Sequence, residues 1–197
     1  NTALYGGGVV LYISYGGQHV IRRTTISGNI AYFGGGLSLY SMSDPLLIEN
    51  STISGNYAYQ SGGAIALNSV NQPISIRNST IVSNTAEAVA GGIFNPGGRL
   101  PITNTIIAGN QAPTNPDLSG RFQLNYDLIQ VTGTATLTVG TGNIFGLDPL
   151  LGPLANNGGP TQTQLPARSS PVIDAGDPAF AEPPSTDQRG GPRRIGG

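Results

Sequence analysis

The acidic side chains are the first candidates for chemistry in this chain of 197 residues. Three of them, Asp174, Asp177 and Asp187, lie near one another toward its C-terminal end. A hard cation such as calcium takes several carboxylate oxygens as ligands, so these aspartates are candidate metal ligands. Hydrogen bonding within turns accounts for the same residues without a metal. We therefore predict that no cofactor is needed, and calcium at these aspartates is the alternative.

Catalysis on polysaccharides would need acids in facing pairs, because a glycosidase places two carboxylates across the scissile bond. The acids of this sequence do not recur in such pairs. Glu49 and Arg77 occupy equivalent repeat positions, which predicts a surface ion pair worth about 0–1 kcal/mol. His19 is the only histidine and lacks a partner for nucleophilic catalysis, which predicts a structural role. We predict that the protein is not an enzyme, with a polysaccharide lyase or hydrolase as an alternative.

Aromatic residues at recurring positions predict a contact surface. The candidates are Tyr12, Tyr40, Phe94, Tyr32, Tyr57 and Tyr59, with Tyr5 and Phe33 nearby. Aromatic side chains that point outward suit stacking against sugars or contact with another protein. The partner predicted for this surface is therefore a glycan or a cell-surface molecule.

A repeat of about 28 residues must position all of these side chains. Glycine-rich blocks begin at Gly6, Gly34, Gly62 and Ala90, which are 28 residues apart. A second motif reads NSTISGN at 50–56, NSTIVSN at 78–84 and NTIIAGN at 104–110. Each repeat shows three short stretches with apolar residues at alternate positions, separated by glycine, asparagine or proline.

Three short strands in each repeat predict an all-β fold, a right-handed parallel β-helix. Strands of successive turns would stack about 4.8 Å apart, so that like residues form columns. Ile53 should then lie directly above Ile81 in the interior. A helical solenoid is excluded, because the apolar spacing is two and glycine accounts for 30 of the 197 residues.

Asparagine recurs at two bends of every predicted turn. One set is Asn29, Asn56, Asn84 and Asn110, and the other is Asn50, Asn78 and Asn104. Asparagine tolerates the left-handed backbone conformation of a bend. Its amide can also donate to and accept from the asparagine one turn away. Both sets are therefore predicted to form structural ladders.

The chain divides into two regions. Residues 1–147 are predicted to form the solenoid, with regular turns to about residue 110 and degenerate turns beyond it. Residues 148–197 contain nine of the fifteen prolines. Proline donates no backbone hydrogen bond, so this tail cannot continue the strand ladder and is predicted to pack on the solenoid or cap it.

The sequence also starts in phase with the repeat, since NTALYGGGV at 1–9 aligns with NIAYFGGGL at 29–37. A first turn with unpaired strand edges invites another chain to pair with it. Two explanations remain open. Either copies of the chain associate end to end into a filament, or upstream turns have been removed.

Composition excludes several other functions. Charged residues make up 10% of the chain and its net charge is −1 without a basic stripe, which argues against nucleic acid as a partner. No run approaches 18 apolar residues, so no membrane span is predicted. There is no cysteine, which excludes disulfide bonds and thiolate metal sites.

The blocks GGAI and ISGN resemble the repeats of bacterial β-helix surface proteins, including polymorphic outer-membrane proteins and adhesin-like passenger domains. The segment NIFGLDPLLGPLANNGGPTQTQLPARSSPVIDAGD, followed by DQRG, is similar to the end of β-helix domains in the choice-of-anchor Q group of exported bacterial proteins. This resemblance implies a bacterial-type extracellular or cell-surface location. We predict an extracellular structural β-solenoid that self-associates end to end into a filament or surface assembly. A monomeric adhesin or glycan-binding passenger fragment is the alternative.

Overall fold

The structure is a computed structural model that describes residues 2–12, 17–40, 44–68, 73–179 and 185–193, and Asn1 therefore lies outside it. The described residues form nineteen strands. Among them there is no helix long and apolar enough to cross a membrane. In chain order the strands are β1 (Thr2–Tyr5), β2 (Val9–Leu11), β3 (His19–Arg22), β4 (Thr25–Ser27), β5 (Ile30–Phe33), β6 (Leu37–Tyr40), β7 (Leu46–Glu49), β8 (Thr52–Ser54), β9 (Tyr57–Ser61), β10 (Ile65–Asn68), β11 (Ile74–Arg77), β12 (Thr80–Val82), β13 (Thr85–Ala86), β14 (Ile93–Thr103), β15 (Ile106–Ala108), β16 (Leu118–Asn125), β17 (Leu128–Ile129), β18 (Thr136–Val139) and β19 (Ile144–Phe145).

The strands form three parallel sheets that the chain visits in order, which makes a parallel β-solenoid of about 4 turns. Sheet A stacks β1, β5, β9 and β13, and sheet C stacks β4, β8, β12, β15, β17 and β19. Sheet B receives two strands from each of the first three turns, and the long strand β14 joins these two positions in the fourth. Strands β16 and β18 extend sheet B further. The predicted all-β parallel β-helix is confirmed.

Like residues stack over like residues in the interior. Ile53 pairs with Ile26 on one side and with Ile81 on the other, and Ile81 pairs with Ile107. All four side chains are buried. Burial of one isoleucine is worth about 1.5–3 kcal/mol, so each column holds neighbouring turns together.

Each of the first three turns contains one strand more than the sequence predicted. The strands of sheet A lie between the asparagine bend and the glycine block, where the apolar pattern indicated no strand. Their buried side chains are small: Ala31 pairs with Ala58, and Ala58 pairs with Ala86. A strand with one small inward residue shows no alternation of apolar and polar residues in the sequence. Backbone hydrogen bonds to the neighbouring turns define these strands.

The glycine block makes a sharp corner between sheets A and B. Gly34 has a φ of 64°, a left-handed conformation that glycine adopts without steric cost. A Cβ atom at Gly35 would lie 2.5 Å from the carbonyl oxygen of Gly63 in the next turn. Gly34 is therefore required by its backbone conformation, and Gly35 is required because there is no space for a Cβ atom.

The tail packs along the outside of sheet C. An apolar cluster there combines Val82, Ala108 and Leu128 of the solenoid with Leu151 and Val172 of the tail. Burial of these side chains against one another anchors the start of the tail beside the fourth and later turns.

Polar contacts continue this packing to the first two turns. Gln188 Nε2 donates to Thr25 Oγ1 at 3.2 Å, and Thr52 Oγ1 donates to Gln188 Oε1 at 2.8 Å. Thr25 Oγ1 also donates to the carbonyl oxygen of Gln162 at 2.6 Å. The tail thus covers sheet C over most of the length of the solenoid.

Candidate functional site

Seven aromatic rings form one continuous group on the outside of the glycine corner, which we call the aromatic cluster. The rings lie on or next to strands of sheets A and B in the first three turns. In order of contact they are Tyr12, Tyr40, Tyr5, Phe33, Tyr32, Tyr59 and Tyr57, with successive ring centroids 5.1, 5.5, 5.6, 5.9, 5.8 and 5.3 Å apart. Parallel stacking of the turns places these rings together, because equivalent residues lie side by side.

Much of the aromatic cluster faces solvent. Tyr12 is 59% exposed, Tyr32 46%, Tyr59 40% and Tyr5 36%. Ring pairs at these distances stabilise one another by about 0.5–1.5 kcal/mol, so the rings hold each other in place. Soluble proteins seldom expose contiguous apolar patches unless the patch contacts a partner. The aromatic cluster is therefore the candidate contact site.

A carboxylate lies at one end of the aromatic cluster. The Tyr57 hydroxyl donates a hydrogen bond to Glu87 Oε1. This hydrogen bond to a carboxylate raises the pKa of Tyr57. An ionised carboxylate accepts several hydrogen bonds, so Glu87 adds an acceptor for hydroxyl groups at the edge of the rings.

Five of the six predicted contact residues meet in this cluster. They are Tyr12, Tyr40, Tyr32, Tyr57 and Tyr59, and the rings of Tyr5 and Phe33 link them. Phe94 is the exception, and it makes no ring contact with any described residue. Its partners in sheet B are Ala66 and Ser119, so the adjacent turns place no ring beside it.

The asparagine ladder predicted at one bend is confirmed. Asn29 Nδ2 donates to Asn56 Oδ1 at 3.0 Å, Asn56 Nδ2 to Asn84 Oδ1 at 2.9 Å, and Asn84 Nδ2 to Asn110 Oδ1 at 2.9 Å. Asn110 Nδ2 then donates to Asp117 Oδ1 at 2.8 Å. All four amide groups donate in the same direction along the ladder. The ladder ends at the carboxyl group of Asp117, whose pKa is raised by burial.

A second ladder, made of hydroxyl groups, was not predicted. Thr24 N donates to Ser51 Oγ at 3.2 Å, Ser51 N to Ser79 Oγ at 3.3 Å, and Ser79 N to Thr105 Oγ1 at 3.4 Å. Thr105 N donates to Asp127 Oδ1 at 2.8 Å, and burial raises the pKa of Asp127 to about 7. The sequence feature that indicates this ladder is the serine or threonine that follows asparagine in each NST or NT motif.

The second set of asparagines turns the chain but forms no ladder. Asn50, Asn78 and Asn104 have φ values of 49°, 53° and 52°, as expected of left-handed bends. No hydrogen bond joins one of these side chains to another among the described residues. Asn50 Nδ2 donates to the carbonyl oxygen of Thr186, and Asn104 Oδ1 accepts from Asp177 N. The tail forms the hydrogen bonds of these amide groups, and the repeat alone does not indicate that the tail lies there.

The three candidate metal ligands have separate positions in the tail. No group of three or more His, Asp or Glu side chains could hold a metal ion in the part of the chain that is described. Asp177 Oδ1 accepts from Ala179 N at 2.8 Å, and Asp187 Oδ1 accepts from Arg189 N at 2.8 Å. Asp174 has a φ of 56°, which is typical of a turn.

Glu49 and Arg77 pair across neighbouring turns, but Glu49 is buried and not at the surface as predicted. Arg77 Nε donates to Glu49 Oε2 at 2.8 Å, and Arg22 binds the other oxygen. Glu49 is fully buried. Burial lowers the pKa of Arg193 in the tail. The nearby charge of Glu49 raises this pKa, and the charge of Arg77 lowers it. The tail thus lies over a position that the repeat pattern assigned to the surface.

His19 lies at the start of β3 and stacks over Leu46 in register. Its Nε2 atom is 3.6 Å from Asp44 Oδ2, and its side chain is 37% exposed. This position beside Asp44 at the edge of sheet B is consistent with a structural role.

The geometry therefore provides one exposed surface of aromatic rings on a scaffold that polar ladders hold together from within. Its chemistry suits contact with a molecule that has apolar faces and hydroxyl edges. No model of a known protein family, no curated protein and no solved structure matches this chain.

Proposed function

We propose that this chain is an extracellular β-solenoid that binds glycans through the aromatic cluster and catalyses no reaction. The observation that carries the proposal is the unbroken contact of seven rings, four of which are 36–59% exposed. Sugar rings have apolar C–H faces and hydroxyl edges. Tyrosine matches both, because its ring is apolar and its hydroxyl forms hydrogen bonds.

The scaffold favours an extended glycan over a single sugar. The cluster takes Tyr12 from the first turn, Tyr32 from the second and Tyr59 from the third. Three stacked turns extend about 10 Å along the solenoid axis at about 4.8 Å per step. Rings that stand on paired strands are ordered before binding, so little conformational entropy is lost when the glycan binds.

A bacterial-type extracellular or cell-surface location is part of this proposal. The resemblance of the repeats to polymorphic outer-membrane proteins, and of residues 143–177 to the choice-of-anchor Q group, supports it. The absence of catalysis is supported by the roles of the buried acids. Glu49 lies between two arginines, and Asp117 and Asp127 end the ladders.

Binding to immobilised polysaccharides tests this function. The double variant Tyr12→Ala/Tyr32→Ala should lose at least about tenfold in affinity, since two exposed rings are removed. Phe145→Ala is the matched control, because Phe145 is 40% exposed and lies on β19, away from the cluster. Equal binding by the two variants, or no binding by the unaltered chain, refutes the proposal. Cleavage of a bound polysaccharide would refute the non-enzymatic part.

A second candidate function is end-to-end association, for which the first turn supplies the observation. Strands β1 to β4 have a partner strand on one side only within the described residues. Val9, Leu11 and Ile21 are only partly buried there, whereas Leu37 and Ile48 of the second turn are fully buried. Either further turns upstream of residue 1 or a second copy stacked on this layer would cover these side chains and pair the strand edges.

Sedimentation velocity over a range of concentrations tests this association. Species that grow with concentration are the expected result, and Ile21→Lys should prevent their growth by placing a charge at the open layer. Circular dichroism controls for folding of the variant. A monomer at every concentration would contradict end-to-end association.

A further inference from the structure

An open groove of about 590 Å³ continues the surface of the aromatic cluster beyond the third turn. The residues that line it are Thr85, Ala86, Glu87, Gln111, Ala112 and Pro113. Sheet A connects the groove to the rings, because Tyr57 pairs with Thr85 and Thr85 forms a β-bridge with Gln111. The hydroxyl of Tyr57 also donates to Glu87. The rings and the groove therefore form one surface.

Glu87 takes the place that an aromatic ring has one turn earlier. Ala58 pairs with Ala86, and both side chains are buried, so the residue after each alanine points outward. That residue is Tyr59 in the third turn and Glu87 in the fourth. The backbone nitrogen of Glu87 donates to the carbonyl oxygen of Ala58 at 3.0 Å, which keeps these turns in register. A carboxylate thus follows the Tyr59 ring at a step of about 4.8 Å along the solenoid.

The carboxylate of Glu87 is accessible to a ligand. Glu87 is exposed, and Tyr57 is its one side-chain hydrogen-bond partner among the described residues. Since Tyr57 binds Oε1, the other oxygen, Oε2, can accept from a ligand. Glu87 forms no salt bridge within the described ranges, and no arginine there lines the groove or belongs to the aromatic cluster. Its negative charge is therefore not paired at this surface.

A carboxylate beside aromatic rings favours a cationic group on the ligand. An ammonium group would donate a charge-assisted hydrogen bond to Oε2, and such bonds are roughly twice as strong as neutral ones. Tyrosine ring faces also attract a cation that lies within about 6 Å. Tyr57 and Tyr59, whose ring centroids are 5.3 Å apart, both lie beside Glu87. An acidic sugar would be repelled by the same carboxylate.

The rest of the groove suits the uncharged part of a sugar. Thr85 provides a hydroxyl group and Gln111 an amide, which can donate to and accept from sugar hydroxyl groups. Ala112 and Pro113 provide apolar surface for C–H groups. Ligand pockets have volumes of roughly 300–1,000 Å³, so the groove has room for a sugar unit at the end of the rings.

We propose that the glycan bound by the aromatic cluster carries free amino groups, and that Glu87 recognises one of them as an ammonium group while that sugar unit occupies the groove. This inference rests on the proposed function, because the rings must bind the adjoining sugars of the same glycan.

Titration calorimetry on the full chain tests the preference with hexasaccharides of glucosamine, N-acetylglucosamine and glucose. At about pH 5.5 an ordinary amine is protonated and an ordinary carboxyl group is ionised. The glucosamine hexamer should bind at least about tenfold more tightly than the other two, because only its amino groups carry a charge. Added salt should reduce this preference, since it screens exposed charges.

The variant Glu87→Gln removes the charge and keeps an acceptor for the Tyr57 hydroxyl. Its affinities for the three hexamers should lie within about twofold of one another. Asp148→Asn is the matched control, because Asp148 is an exposed acid that does not line the groove, and this variant should keep the preference. Thermal melts followed by circular dichroism show whether both variants are folded.

Equal affinity of the unaltered chain for the three hexamers overturns the inference, and so does an unchanged preference in Glu87→Gln. Binding of a lysine hexamer as tight as that of the glucosamine hexamer also overturns it, since the surface would then select charge and not a sugar. The variant Tyr12→Ala/Tyr32→Ala should weaken binding of all three hexasaccharides. If it does not, the proposed function fails, whereas equal affinities that depend on these two tyrosines contradict this inference alone.

Discussion

Removal of one amide from the middle of the asparagine ladder should destabilise the whole solenoid. Asn84 is fully buried, and its side chain makes five hydrogen bonds. Oδ1 accepts from both nitrogen atoms of Asn56 at 2.9–3.0 Å, and Nδ2 donates to Asn110 Oδ1 and to the carbonyl oxygens of Ile53 and Val82. Asn84→Ala removes all five bonds and leaves several of these partners buried without water.

The size of the effect follows from these bonds. Each contributes about 0.5–1.5 kcal/mol net, and not every bond is lost at full value, so we expect a loss of about 3–5 kcal/mol. Domains of this size have total stabilities of about 5–15 kcal/mol, so the variant should fold but unfold much more easily. With a urea m-value of about 2–3 kcal/mol per molar, the midpoint should fall by about 1–2 M.

Urea unfolding followed by circular dichroism measures this shift, with two matched controls. Asn29→Ala removes a side chain at the end of the ladder, whose Nδ2 donates to Asn56 Oδ1 and Ser27 O among the described residues, and should cost about 1–2 kcal/mol. Asn68→Ala removes, within the described part of the chain, one hydrogen bond of 3.5 Å to Ser38 Oγ and should leave the midpoint within about 0.2 M. If Asn84→Ala and Asn68→Ala unfold at the same urea concentration, the ladder does not stabilise the fold.

Three further predictions test other parts of the fold. Because burial raises the pKa of Asp127 to about 7, the folded chain binds a proton that the unfolded chain releases above about pH 4. Asp127 should therefore make the free energy of unfolding fall by up to about 4 kcal/mol between about pH 4 and pH 7. Asp127→Asn should reduce this dependence in urea titrations and leave the part that comes from Asp117, whose pKa burial also raises. A rise over the same range would contradict the assignment. Gly35→Ala should lower stability by about 3 kcal/mol or more in thermal melts, because its Cβ meets backbone of the next turn, whereas Gly98→Ala, with nothing within 4 Å, should change it by less than about 0.5 kcal/mol. Gln188→Ala should loosen the tail and speed its cleavage by trypsin severalfold, and an unchanged cleavage rate would show that this contact does not hold the tail.

The interior could be predicted because a solenoid places each residue beside its counterpart one turn away. Residues one period apart in the sequence are therefore in contact, and the pairing of Ile53 with Ile81 follows directly from their spacing of 28 residues. The same reasoning predicts the ladder through Asn56 and Asn84, and the predicted contact surface contains five of the seven rings of the aromatic cluster.

The strands of sheet A escaped prediction for a local reason. Their inward residues are alanines such as Ala31 and Ala58, and one small side chain leaves no alternating pattern. The hydroxyl ladder was missed although its residues recur, because serine and threonine are common in turns and their recurrence alone does not indicate a buried hydrogen bond.

By itself, the sequence determined the parallel stacking of turns, the interior columns and the asparagine ladder, since each depends on contacts that repeat every turn. Tertiary structure decided the rest: the burial of Glu49, the loss of a second ladder at Asn50 and Asn104, and a cavity beside Asn78. All three arise where the tail meets the solenoid, through contacts between residues as far as 164 positions apart. The tail has no repeat, so no period in the sequence indicates which turn it covers.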